Sequence, residues 1–340
     1  MKASLPGITH WRHDLGHCLH ATAGVLLGFH GADPLDLLGA AWGFDYPAGD
    51  MRREEYYFPC RDRSLFASLA PHHNVESTWH TPSSPEQGWE DVRARLLAGT
   101  PVAVAADNYF LPFRPAYQDV HTNHLLVVHG FDEDRGTVSV CDPVPPRFLG
   151  EIRIEELTAA RDSANPVRHS RDMFFTANPI GNRWLDVTVS GHTGPASRER
   201  LREIVAANVS GWEGAADGSS DYRGLPGLER FLREAATRLA DGDPSVVDEV
   251  FVVAGVALAV TGLHGDYLAA AARRLGEPPL LKLAREVERI AHHWSAVRII
   301  VATGRDDPAT AGRTLAVRTT ALLADQLTTV DRMTAVAASI

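Results

Sequence analysis

The sequence places a cysteine where a helix is expected to begin. Residues Cys18–Phe29 carry small and apolar side chains at helical spacing and end before Gly31, so a helix starts close to Cys18. Backbone N–H groups at a helix N-terminus stabilise a thiolate and lower the pKa of its thiol. Cys18 is therefore a candidate nucleophile, with a buried structural cysteine as the alternative. Cys141 is expected in the core at the end of a β-run, and Cys60 in a loop.

A base and a group to orient it are predicted downstream of this cysteine. His124 leads into the β-rich run Leu125–Val128, and Asp142 follows the run Thr137–Cys141, with a hairpin signal over residues 132–136 between them. An antiparallel hairpin brings the start of one strand beside the end of the other, so the two side chains are expected side by side. A cysteine nucleophile needs such a base and a third group that fixes its tautomer. Taken singly, His124 is also explained as a half-buried strand residue and Asp142 as a turn residue.

The order of the predicted elements indicates an α+β N-terminal half and an all-α C-terminal half. In the first half, a helix over Pro85–Leu97 precedes a strand over Pro101–Ala106, and Met173–Thr176 is a further strand. Apolar residues in the second half recur with a period of 3.6. They predict helices over Arg198–Asn208, Pro226–Leu239, Ser245–Leu275, Pro279–Ala302 and Pro308–Val330.

Length and composition favour a globular protein of two domains. The chain has 340 residues, of which 44% are hydrophobic and 22% charged, and this length exceeds one ordinary core. We expect domains of residues 1–186 and 187–340, with a linker over Val187–Ser197 and an exposed loop over Gly211–Gly224.

Charge and cysteine content argue against several classes of function. The net charge of -10 disfavours nucleic-acid binding, which needs a basic surface. Three cysteines without a CxxC motif exclude a disulfide framework and a cysteine-based zinc site. The segment Met1–Asp14 lacks the features of a secretory signal, and the longest apolar run, Val250–Leu263, is too short to span a bilayer. We therefore expect a cytoplasmic protein that does not bind membranes.

A cluster of histidines raises the question of a metal site. His10, His13, His17 and His20 fall at spacings of three, four and three residues. Gly16 and the helix start near Cys18 interrupt the stripe that a continuous helix would form. No HExxH motif occurs and no acidic partner stands at ligand spacing, so no metal and no resident cofactor are predicted.

Several short motifs, in this order and spacing, resemble the butirosin biosynthesis protein H family. That family comprises papain-like acyltransferases related to the double-glycine-leader cysteine peptidases. The resemblance implies a papain-like N-terminal domain, a C-terminal helical domain that covers the cleft, and transfer of an acyl group from a carrier-protein thioester through a cysteine to an amine. The motifs are His17-Cys18, Ala106–Phe113, His124–Asp132, Asp142-Pro143, Leu263–Arg273 and Ala291–Trp294.

The resemblance assigns roles to single residues. Cys18 matches the nucleophile, His124 the base and Asp142 the third member, while His121 is held in reserve as a base. The segment Pro34–Tyr46 lacks the Ser-Glu pair associated with family members, and Asp36 is a candidate for part of that role.

The oxyanion-binding group is left open by this comparison. In the related peptidases, the glutamine that holds the oxyanion stands about six residues before the cysteine. The resemblance implies this spacing, whereas oxyanion sites in general do not require it. Arg12 stands at that position here. His13, His17 and backbone N–H groups are the alternatives.

Substrate contacts are expected from the segment between the first strand and His121. Asp107 is a candidate to bind the ammonium group of an acceptor, with capping of a loop as the alternative. Aromatic side chains in this segment either line an acyl pocket or pack in the core. They are Tyr109, Phe110, Phe113 and Tyr117.

Three functions from different classes follow. The first is an acyltransferase or cyclase whose partners are an acyl or peptidyl carrier protein and a small amine; phosphopantetheine enters only as part of that donor. The second is a cysteine peptidase or amidase, and the third a noncatalytic binding module. A homodimer is left open. Arginines that either dock the carrier or form surface ion pairs are Arg52, Arg53, Arg61, Arg63, Arg273, Arg274 and Arg285.

Overall fold

The computed structural model of the protein describes residues 1–48, 64–168, 178–191, 194–214 and 221–340. Cys60, which is expected in a loop, lies outside these residues, and so does the predicted strand Met173–Thr176. The same holds for Arg52, Arg53, Arg61 and Arg63.

The described residues form strands in the N-terminal part of the chain and long helices in the C-terminal part. The strands are β1 (Lys2–Ser4), β2 (Asp45–Tyr46), β3 (Val75–His80), β4 (Val102–Asp107), β5 (Asn123–Asp132), β6 (Thr137–Asp142), β7 (Phe148–Arg153), β8 (Trp184–Val189) and β9 (Tyr222–Arg223). The α-helices are α1 (Cys18–Phe29), α2 (Pro34–Leu38), α3 (Phe66–Leu69), α4 (Pro85–Leu97), α5 (Ile154–Arg161), α6 (Arg198–Glu213), α7 (Gly224–Ala240), α8 (Val246–Leu275), α9 (Pro278–Thr303) and α10 (Pro308–Ser339). The predicted α+β class is confirmed.

Packing groups the chain into two compact units. Unit 1 comprises Met1–Pro34 and Cys60–Thr193, and unit 2 comprises Leu35–Pro59 and Gly194–Ile340. The domain division between residues 186 and 187 and the papain-like character of the first domain stay predictions.

An antiparallel sheet forms the framework of unit 1. Among the described residues its strand order is β3-β8-β4-β5-β6-β7, and β1 pairs with β5. The central strands β4 and β5 carry almost only buried side chains because both of their faces are covered. One face packs against α4 and α5 through Val92, Leu96, Leu157 and Ala160, and α1 packs on β4 and β5.

Four strands of this sheet, β1, β3, β7 and β8, lie outside the runs that the sequence predicts as strands. β3 lies inside a stretch whose composition indicates a polar, irregular segment, yet its residues alternate between buried and exposed as a half-buried strand requires. β8 continues to Val189 and pairs along its length with β3, so the first residues of the predicted linker form part of the sheet.

Unit 2 is built around α8. Trp42 donates from Nε1 to Thr261 Oγ1 (3.2 Å), and its ring stacks on His264, whose Nδ1 lies 2.8 Å from the carbonyl oxygen of Gly39. The segment after α2 therefore packs against α8 within this unit.

Burial explains the apolar character of α8. The helix runs unbroken from Val246 to Leu275 and buries residues on most of its circumference, which suits a helix that is apolar on more than one face. The run Val250–Leu263 is too short to span a bilayer, but the helix that contains it, predicted over Ser245–Leu275, is by length and composition long and apolar enough to cross one. Its most apolar window is 72% buried inside the protein, which is typical of a core helix.

Candidate active site

The thiol of Cys18 lies at the first residue of α1, as predicted. The preceding residue, His17, is the N-cap, and its Nδ1 accepts a hydrogen bond from the backbone N–H of Leu19 at 3.4 Å. The chain turns into the helix through a hydrogen bond from Gly16 N–H to the carbonyl oxygen of His13 (2.9 Å). Cys18 is therefore exposed to the positive end of the helix dipole, which stabilises a thiolate.

Two contacts fix α1 in unit 1. Trp11 packs so closely on the helix that a Cβ at Gly24 would lie 2.0 Å from its ring. The hydroxyl of Thr22, four residues after Cys18, donates to the carbonyl oxygen of Leu125 at 2.9 Å. Because Leu125 follows His124 in β5, this bond holds the start of α1 against the strand that carries the predicted base.

His124 and Asp142 form a buried pair. Nε2 of His124 lies 2.8 Å from Oδ2 of Asp142, and the two residues are 3% and 0% exposed. The pairing of Val127 with Cys141 sets the register of β5 and β6, which brings the start of one strand to the end of the other. Val144 donates its backbone N–H to Oδ1 of Asp142 (2.9 Å), so the carboxylate is oriented through both oxygens.

The thiol faces this pair. Burial raises the pKa of Cys18, but the neighbouring side chains of His124 and His17 outweigh it and lower the pKa to about 6. Burial likewise opposes protonation of His124, but Asp142 and Cys18 raise its pKa to about 9. Since Nε2 of His124 is bonded to the carboxylate, Nδ1 is the ring nitrogen left for the thiol. The arrangement favours a thiolate and an imidazolium at neutral pH.

A second aspartate and histidine form a separate pair nearby in the sequence. Nδ1 of His121 lies 2.6 Å from Oδ2 of Asp107, and the His121 ring stacks on Tyr109 with centroids 4.1 Å apart. Asp107 is fully buried and also accepts hydrogen bonds from Ser163 Oγ and from the backbone N–H groups of Tyr109 and Thr122. These bonds match the capping interpretation of Asp107, and ammonium binding stays a prediction.

The aromatic residues of the same segment line two cavities. Tyr109, Phe110 and Tyr117 border a cavity of about 250 Å³. Phe113 stacks on Phe148 and lines a second cavity of about 430 Å³. Neither cavity is lined by Cys18, His124 or Asp142, and the acyl-pocket interpretation of these aromatics stays a prediction.

The structure also brings a residue to the site that sequence reasoning missed. Arg114 donates from Nη1 to Oδ2 of Asp142 at 3.2 Å and to the carbonyl oxygen of Val144 at 3.0 Å. No motif marks Arg114. Only its place between two aromatic residues of the segment that was assigned to substrate, Phe113 and Tyr117, pointed to this part of the molecule.

The arrangement of histidine, cysteine and acidic side chains among the described residues bears on the metal site considered for the histidine cluster. No group of three or more His, Cys, Asp or Glu side chains among them is arranged to hold a metal ion. His17 and His20 are in ring contact at 4.5 Å, but α1 begins between them.

Two arginines considered from the sequence, Arg274 for carrier docking and Arg12 at the position of the oxyanion-binding glutamine, lie among the described residues. Arg274 donates to the carbonyl oxygen of Ala196 and lies 3.7 Å from Asp36, an ion pair within unit 2. Nε of Arg12 is buried without a hydrogen bond to the described residues.

The comparison with protein families identifies the N-terminal region. Residues 17–143 match the family model described as butirosin biosynthesis protein H, N-terminal. The matched segment contains Cys18, His124 and Asp142 and ends one residue after that aspartate. Among curated proteins, no sequence matches the chain.

Proposed function

The chain has a butirosin biosynthesis protein H-like N-terminal region, and we propose that it is a cysteine-dependent acyltransferase or cyclase of natural-product biosynthesis. The family match implies a part in antibiotic biosynthesis. The observation that carries the finer proposal is the lowered pKa of Cys18 beside the buried His124 and Asp142 pair. A thiolate held next to a protonated imidazole is the resting form of a cysteine nucleophile with its general acid in place.

The first half-reaction loads the enzyme. The Cys18 thiolate attacks the carbonyl carbon of a carrier-bound thioester, and the carbon to phosphopantetheine sulfur bond breaks. The departing thiolate takes the proton from Nδ1 of His124. This leaves an acyl group on Cys18 and a neutral imidazole, which Asp142 keeps oriented through Nε2.

The second half-reaction releases the acyl group to an amine. The amine nitrogen attacks the carbonyl carbon, and its proton passes to Nδ1 of His124. The bond from carbon to Cys18 sulfur then breaks, which restores the thiolate and imidazolium pair. An amine on a second molecule gives transfer, and an amine within the acyl group gives a lactam.

His17 is our candidate for the oxyanion-binding side chain. Its Nδ1 accepts a hydrogen bond from Leu19 N–H, which leaves Nε2 as the ring nitrogen able to donate, and the side chain lies beside the Cys18 thiol. Together with the backbone N–H of Cys18 at the helix N-terminus, it would supply two donors beside the attacking sulfur.

A panel of thioester donors tests the proposal. The protein is incubated with acyl and aminoacyl carrier-protein thioesters, with and without small primary amines, and the products are separated by mass. Amide or cyclic product that depends on Cys18 supports the proposal. Free acid as the sole product, equal with and without amine, would identify a hydrolase of the peptidase or amidase class. Donors that bind and remain intact would identify a binding module.

A further inference from the structure

The carboxylate of Asp142 contacts two cationic or potentially cationic side chains, His124 and Arg114. Nη1 of Arg114 lies 3.2 Å from Oδ2, the same oxygen that His124 approaches at 2.8 Å. Arg114 is 10% exposed and Asp142 is 0% exposed, so water screens neither charge well. A buried cation therefore competes with His124 for one oxygen atom.

The backbone holds Arg114 in this position. Its N–H donates to the carbonyl oxygen of Leu111, and its own carbonyl oxygen accepts from Tyr117 N–H, both at 3.0 Å. The adjacent Phe113 stacks on Phe148, which is directly opposite Asp142 in the pairing of β6 with β7. Arg114 is thus placed by the loop and by the strand next to the carboxylate.

We infer that Arg114 is a positioning residue that keeps Asp142 ionised while His124 is neutral. This inference rests on the proposed function and specifies how the two half-reactions share one imidazole. With Arg114 present, Asp142 has a permanent counter-charge and does not need a protonated His124 to compensate it. Without Arg114, the buried carboxylate would retain the proton on His124.

The effect falls mainly on the second half-reaction. In the resting enzyme the thiolate itself stabilises the imidazolium. In the acyl-enzyme that negative charge is gone, and His124 must be neutral to accept a proton from the amine. The groups that face the Cys18 and His124 pair from the described elements are His17 from α1, Asp142 from β6 and Arg114 from the loop before β5.

The test compares Arg114→Met with Arg114→Lys in the full-length protein. A small acyl thioester loads Cys18, and the rate of acyl release to a primary amine is measured in single turnovers across pH. In Arg114→Met we expect the pH midpoint of release to rise by about one unit, with release about tenfold slower below the wild-type midpoint. In Arg114→Lys, which retains the charge, the midpoint should stay within about 0.3 unit of wild type.

A second readout does not require acyl transfer. In the Cys18→Ala background, which lacks the thiolate as the acyl-enzyme does, the pH midpoint at which His124 loses its ring proton, followed by NMR, should rise in Arg114→Met, because the carboxylate of Asp142 has lost its other counter-charge. It should stay unchanged in Arg114→Lys. Identical His124 midpoints with Arg114 and with Arg114→Met would overturn the inference, as would a shift in Arg114→Lys equal to that in Arg114→Met. Failure of the proposed function would instead appear as a wild-type protein that alkylates at Cys18 but forms no acyl adduct.

Discussion

The hydroxyl of Thr22 donates to the carbonyl oxygen of Leu125 at 2.9 Å, so the helix that begins at Cys18 is hydrogen-bonded to the strand that carries His124. Both residues are buried. This bond between helix and sheet helps to fix the relative position of nucleophile and base inside unit 1, in addition to apolar packing.

Loss of the hydrogen bond from Thr22 to Leu125 should change both the stability of the protein and the reactivity of the Cys18 thiol. We expect Thr22→Val to lower the free energy of unfolding by about 0.5–1.5 kcal/mol, the usual contribution of one hydrogen bond. The Cys18 alkylation midpoint should rise, because His124 is less firmly held beside the thiolate. Thr22→Ser is the control, since it keeps the hydroxyl. Denaturant unfolding and alkylation rates measure the two effects. A Thr22→Ser variant that is as perturbed as Thr22→Val would point to packing of the methyl group instead.

The two cysteines that the structure describes should differ widely in reactivity. Burial and the nearby Asp142 raise the pKa of Cys141 to about 12, whereas that of Cys18 is lowered to about 6. Iodoacetamide should label Cys18 with a rate that rises through a midpoint near pH 6 and stays high at more alkaline pH, because the thiol remains ionised there. Peptide mapping after brief labelling identifies the modified residue. Faster labelling of Cys141 in the folded protein would contradict the assignment.

A double-mutant cycle should reveal the coupling of Asp142 to Arg114. Asp142→Asn leaves a mostly buried guanidinium without its counter-charge, and we expect a loss of about 3–5 kcal/mol in the free energy of unfolding. Adding Arg114→Met should recover a large part of this loss, because the unpaired cation is removed. Chemical denaturation of the four proteins measures the cycle. Additive losses would indicate that the two side chains do not interact energetically.

The close contact of Trp11 with α1 offers a test with a matched control on the same helix. In Gly24→Ala, the new methyl group would lie 2.0 Å from the Trp11 ring, and we expect a destabilisation of about 1–3 kcal/mol from overpacking. A methyl group at Gly28 would meet no atom within 4 Å, so Gly28→Ala should be neutral or stabilising by up to about 1 kcal/mol. Thermal unfolding compares the two variants. Equal changes in the unfolding temperature of the two variants would show that the Trp11 ring moves aside at little energetic cost.

Local patterns were sufficient to predict the elements that carry the site. The helix Cys18–Phe29 was predicted at its observed bounds, because its start has a turn before it and its apolar face is continuous. The hairpin of β5 and β6 followed from two β-rich runs and one turn, and with it the approach of His124 to Asp142. These are contacts between segments that are close in sequence.

Long-range partners were not predictable in the same way. Arg114 reaches Asp142 across 28 residues, and Ser163 reaches Asp107 across 56. No periodicity or spacing encodes these pairs, since they depend on how loops fold back over the sheet. The surroundings of His264 were not predictable either: the bounds of α8 follow from its periodicity, but only the structure shows that this imidazole is buried against Gly39.

The most direct test of the central claim is the mass of the acyl-enzyme itself. Wild type, Cys18→Ala and Cys141→Ala are mixed with an acyl carrier-protein thioester in the absence of amine, quenched within one turnover, and analysed as intact proteins and as peptides. We predict an acyl adduct on the peptide that contains Cys18 in wild type and Cys141→Ala, and none in Cys18→Ala. Acyl transfer by Cys18→Ala at the wild-type rate, or an adduct that maps to Cys60 or Cys141, would contradict the account.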